Sequence, residues 1–168
     1  SDSGATVHCA GVVVTTGINF PDDATANPSA DVNTLDNYEE GTFTWAISPA
    51  TSGSISMETG SDLGMYTKIG RVVHIQGRFN INANSSPSGE ARIALPFTSF
   101  DGTDQEGNSA GTIVAYNATF TAAYLSIQIL ENTNYMTVVR TISGSAQQNV
   151  VDDELGTGYF TCQMTYMV

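Results

Sequence analysis

Only two histidines, His8 and His74, are available for nucleophilic or general-base chemistry. A serine nucleophile needs an imidazole beside it. His8 lies in a strand-like run with no serine in a nucleophile-elbow context, and His74 sits on the polar side of an alternating run, between Val73 and Ile75. Both read as polar groups on a strand surface or between subunits. Paired carboxylates are the second route, because two acids flanking a glycosidic bond hydrolyse it. The candidates are Asp101, Asp104 and Glu106 in one loop and Asp152, Asp153 and Glu154 in another. Adjacent acids in a turn are ordinarily solvated, so the expectation is that the chain is not an enzyme and has no catalytic residues.

No Cys/His cluster has the spacing of a zinc site, and no glycine-rich loop of phosphate-cradling type is present. The loop DGTDQEGN (101–108) gathers carboxylate and amide oxygens, the ligands that hard cations such as calcium favour. Asp101, Asp104 and Glu106 are therefore the metal candidates, although their spacing is not that of an EF-hand. No other cofactor is expected. Cys9 and Cys162 stand at opposite ends of the chain, each in a strand-like run. There a free cysteine behaves as a small buried hydrophobe, and a disulfide between terminal strands is the alternative.

Recognition remains. Sugars are held by aromatic faces against their apolar C–H side, with Asp, Asn and backbone groups on the hydroxyls. Such pairings fall near expected strand ends in the second half: Phe100 with Asp101, Tyr116 with Asn117, and Asn134 with Tyr135. The ordinary alternative for each ring is a place in the core or a subunit contact.

These side chains must be positioned by strands. Apolar residues alternate with polar ones at Val73, Ile75, Gly77, Phe79 and Ile81, at Phe43, Trp45 and Ile47, at Leu125, Ile127 and Ile129, and from Phe160 to Val168. Period two is the signature of half-buried antiparallel strands. Weaker strand signals cover Val7–Val14, Gly53–Met57, Met65–Lys68, Glu90–Leu95, Gly111–Ala118 and Tyr135–Thr141. The stretches PATSGS, NANSSPSGE, DGTDQEGNSAG and SGSAQQN read as turns between them. About eight strands with such punctuation predict an all-β antiparallel sandwich or jelly roll.

The 168 residues suit one domain. Charged residues are only 13%, and five Lys and Arg against seventeen Asp and Glu leave a net charge of −12. Phosphate binding draws its affinity from Lys and Arg, so nucleic acid is excluded as a partner. Anionic membrane surfaces are disfavoured for the same reason, and no apolar run approaches the ~18 residues that a spanning helix needs. Residues 1–33 read as a strand segment and an extended, proline-containing connector, ahead of a head at 34–168. The opening SDSGATVHCAG reads as a fragment or processing boundary. VHCAGVVV is too apolar for water yet too short to build a core, so Val12, Val13, Val14, Ile18 and Phe20 are expected to contact sister chains.

Three segments then stand in a recognisable order: TLDNYEEGTFTW from Thr34, YTKIGRVVHIQGR from Tyr66, and LPF from Leu95. Over about residues 17–100 this order resembles a module at the C-terminal end of bacteriophage tail fibres and related virion fibres. The chain departs from that pattern at Trp45–Ala46, where Thr-Pro is usual, and at Arg71, where Asn is common. The resemblance implies a homotrimeric fibre tip with a stalk and a β-rich head that recognises a glycan or protein on the host surface. It would be a virion protein made in a bacterial cytoplasm, where the glycosylation sequons at Asn84 and Asn117 are accidental. A structural virion role, binding only other virion proteins, and a polysaccharide depolymerase are the competing classes.

Overall fold

The computed structural model describes residues 38–118, 124–141, 143–150 and 154–168. The expected oligomer contacts Val12, Val13, Val14, Ile18 and Phe20, the connector, His8, Cys9, Asp152 and Asp153 fall outside them. Eleven strands are seen: β1 (Tyr38–Thr44), β2 (Ile47–Pro49), β3 (Ser52–Met57), β4 (Leu63–Ile69), β5 (Val72–Ser88), β6 (Ala91–Ala94), β7 (Ser109–Tyr116), β8 (Leu125–Ile129), β9 (Tyr135–Arg140), β10 (Gln148–Asn149) and β11 (Gly158–Met167). Every pairing is antiparallel.

The all-β, antiparallel expectation holds. The strands do not divide into the two separate sheets of a sandwich or jelly roll. They form one sheet in the order β1-β4-β5-β11-β7-β8-β9-β6-β2, with β3 on β5 and β10 on β9. The reason for the curl lies in the burial pattern. Val73, Ile75 and Phe79 of β5, Ile93 of β6, Ile127 of β8, Met136 and Val138 of β9 and Phe160 of β11 belong to a single core cluster. One sheet buries one face of strands far apart in its order only by bending that face around on itself.

Strand β5 is the backbone of this arrangement. It is longer than its alternation promised, because Asn82–Ser88, expected as a turn, continues the strand. β3 supplies the ladder there, with register shifts between Ser52 and Ser54 and between Ser56 and Met57. Such irregularities bend a strand and sharpen its twist. The expected single strand through Phe43, Trp45 and Ile47 is instead broken: β1 and β2 lie at opposite ends of the sheet order, and Trp45–Ala46 crosses between them.

Trp45, 1% exposed, is the largest side chain of the core. Its indole packs edge-on to Phe43 at 4.5 Å and against Phe79 at 5.6 Å, and Phe79 stacks on Phe160 at 5.5 Å. Space for it comes from Gly64 and Gly77, partners across β4 and β5. A Cβ on Gly64 would stand 2.6 Å from the Phe43 ring and 2.8 Å from the indole, and one on Gly77 would stand 2.9 Å from Trp45 Nε1 and 3.0 Å from the Gly64 Cα. Among the described residues the indole N–H has no hydrogen-bond partner, so there the donor gives way to shape. Cys162 is free and buried in the same core, and burial pushes its thiol up to about 12. It is an inert hydrophobe there.

The glycine pair yields a test. Gly77→Ala should lower unfolding free energy by about 1–3 kcal/mol, the usual cost of overpacking, and Trp45→Ala by about 3–5 kcal/mol. Denaturant titration followed by circular dichroism reads both. Loss below ~0.5 kcal/mol for Gly77→Ala would show that the indole has room to move.

Candidate functional site

Strand β7 runs from Ser109 to Tyr116 and so separates the candidate residues into two groups, ~24 Å apart at the strand rise per residue. Phe100, Asp101, Asn134 and Tyr135 lie at the Ser109 end, where the 95–108 loop meets the β8–β9 turn. Tyr116 and Asn117 lie at the other end, beside Gly158 and Tyr159 of β11.

The first group is a built loop end. Ser99, 4% exposed, donates its hydroxyl to the Leu130 carbonyl at 2.8 Å and accepts the Thr133 amide at 3.0 Å, while its own amide reaches the Thr133 carbonyl at 2.9 Å. The Phe100 amide donates to the Met167 carbonyl, and the Asn132 amide returns to the Phe100 carbonyl. The side chain of Asn132 donates to Asp101 Oδ2 at 3.1 Å. The Leu95 amide takes the Asn134 carbonyl. Two residues here, Gln105 and Asn132, hold φ of 65° and 55°. Asn adopts that left-handed region readily and Gln seldom does, so the loop's hydrogen bonds hold it there.

The expected aromatic platforms are partly occupied. The Arg71 guanidinium sits 4.0 Å from the Phe100 ring centroid and that of Arg92 sits 4.5 Å from the Tyr135 ring. One side of each ring therefore faces a cation. Asp101, Asn132 and Asn134 are exposed at the rim. Tyr116, by contrast, is exposed, and across the ladder Tyr159 carries Arg78 at 4.6 Å from its ring.

The acids of the calcium candidate do not converge. Among the described residues no three His, Cys, Asp or Glu side chains form a group able to hold a metal. Glu106 instead accepts the Asp104 amide at 2.7 Å and the Thr103 amide at 3.3 Å. Backbone donors, its own amide included, hold its carboxyl below the ordinary value. Glu154 pairs with Arg140.

A feature beyond these candidates is the outward side of β1, β4, β5, β11 and β7. Its register runs in rows, Glu40–Thr67–His74–Thr165 and then Thr42–Met65–Gln76–Gln163–Thr112. Three shallow hollows lie along it, the largest about 410 Å³. His74 Nδ1 is 3.0 Å from Thr165 Oγ1, a cross-strand polar contact of the kind expected for it. On the inward side of the same strands Tyr66 donates to Glu39 at 2.5 Å, and this bond raises the phenol to about 12. The alternation of β4 and β5 gave the signal for this surface, but only the register shows that the strands place it side by side.

Because the Glu106 pKa is lowered on folding, its contribution is present above the ordinary carboxylate range and disappears as pH falls through the folded value. The Thr103 and Asp104 amides should lose protection from hydrogen exchange as pH is taken from 6 towards 3, after correction for intrinsic rates. Glu106→Gln should remove the pH dependence. Protection that is flat with pH in the parent chain contradicts this reading of the loop.

Comparison with known proteins places this geometry in context. No family model matches the chain, and no curated protein does. Among solved structures, the Dettilon tailspike protein is similar over 77% of this chain, with a TM-score of 0.59 and 26% identity. The likeness covers 24% of that protein, so this chain spans about a quarter of its length. A tailspike neighbour for an antiparallel curled sheet is consistent with a component of a phage tail or fibre.

Proposed function

We propose that the chain is the tip of a phage tail fibre or tailspike, a homotrimeric virion component that binds a host cell-surface receptor, with a glycan as the favoured ligand class. The likeness to the Dettilon tailspike protein over 77% of the chain carries this reading. The order of the YEEGTFTW, YTKIGRVVHIQGR and LPF segments supports it from the sequence side.

The receptor contact falls at the loop end. Asp101, Asn132 and Asn134 present exposed carboxylate and amide groups there, on a backbone already fixed by Ser99 and Glu106. Binding to a rigid rim avoids the entropy of ordering a loose loop. Glu106 is committed to the Thr103 and Asp104 amides and its carboxyl is held below the ordinary value, which suits it poorly to the general-acid role that needs a raised pKa.

The purified chain should adsorb to envelope fractions of its host bacterium and compete with virions for them. Asp101→Ala with Asn134→Ala should reduce adsorption at least ~10-fold, with thermal stability changed little, as for loss of one hydrogen bond. Failure to adsorb to any fraction while binding other virion proteins moves the chain to the structural class. Shortening of extracted host polysaccharide makes it a depolymerase.

A further inference from the structure

The outward side of β1, β4, β5, β11 and β7 is unlike the rest of the surface. Of the nine large apolar side chains that stand exposed among the described residues, seven project from it, among them Met65 (52%) on β4 and Val114 (64%) on β7; the other two are Tyr124 and Leu130. Exposed apolar side chains scattered singly need no explanation; here they stand in three groups on one face, Tyr38 with Ile69 and Val72, Leu63 with Met65, and Val114 with Tyr116. The outward side of β8 and β9 differs, since Gln147 crosses it to bond Gln128 at 2.6 Å and Val139 beneath is 2% exposed.

Charge distinguishes the face as well. The whole chain carries −12. Along the five strands the only outward-pointing full charges are Glu40 and Arg78, of opposite sign. Two copies of so acidic a molecule repel on approach, and this is the side on which they meet without like charges opposed. Depletion of charge with Met, Tyr and Arg retained is also the composition of interface centres.

Size permits it. Five strands at ~4.8 Å spacing and seven to ten residues at ~3.4 Å rise give about 700 Å², close to the ~800 Å² per partner of a stable interface. We infer that this face is where a second copy of the chain packs, with Met65 towards one side of the contact and Val114 towards the other. The inference rests on the oligomer proposed above and adds the surface through which it forms.

Sedimentation of the intact chain, with Met65→Glu, Val114→Glu and the off-face control Leu130→Glu, tests it. The parent and Leu130→Glu should be oligomers. Met65→Glu and Val114→Glu should weaken association about 100-fold or more, as expected for a charge buried unpaired. Both should keep the parent's circular dichroism spectrum, since these side chains are exposed within one copy. Should a spectrum change, Met65→Gln and Val114→Thr take their place, with weaker association still expected. If both charged variants remain oligomeric, the face is not the interface, and the oligomer stands by another route. If the parent itself is monomeric, both the oligomer and the face fall. Protection of the face from surface labelling in that monomer would assign it to the chain's own first 37 residues instead.

Discussion

Everything in this fold is organised around one large indole placed over two missing side chains. Trp45 stands on the stretch that links the first strand of the sheet order to the last, and it is accommodated because Gly64 and Gly77 meet across β4 and β5. The indole holds the bent inner face together through Phe43, Phe79 and Phe160. A buried N–H without a partner among the described residues is the cost of that placement. A sheet bent in this way has a filled concave side and leaves its convex side to other uses.

Those uses are divided in space. At one end, the loop after β6 and the β8–β9 turn tie each other down through Ser99, Asp101 and Asn132, giving a stiff polar rim. Along the outer side of β1, β4, β5, β11 and β7 lies a nearly uncharged face, whose outward full charges are Glu40 and Arg78. On the proposed reading, the rim meets a ligand rich in hydroxyls and the face meets a sister copy. Both sit on strands paired on each side, or tied to such strands, so neither must be ordered at the moment of contact.

Much of this was legible in the residues. The alternation in Val73–Ile81, Leu125–Ile129 and Phe160–Val168 placed three central strands and named which side of each is buried. What misled was context. Gly77 fits the apolar phase of its strand, yet it is there as a gap for Trp45 rather than as a core side chain. Asn82–Ser88 has turn composition, yet a neighbouring strand pairs with it. Gln148–Asn149 is too short to carry a pattern. The bond between Asp101 and Asn132 joins residues 31 apart in sequence, and no local signal reports such a pair. Phe100 and Tyr135 were recognisable as rings near strand ends, but not the guanidinium groups over them. Met65 and Val114 were visible as apolar residues on strands; only register assigns them to one outward face.

The division between a joining face and a recognising rim is tested most directly by electron cryo-microscopy of the purified chain mixed with its host envelope fraction. The account predicts copies packed through β1, β4, β5, β11 and β7, with density for the bound envelope component against Asp101, Asn132 and Asn134. Copies joined elsewhere, with that five-strand face open to solvent or itself carrying the envelope component, would contradict it.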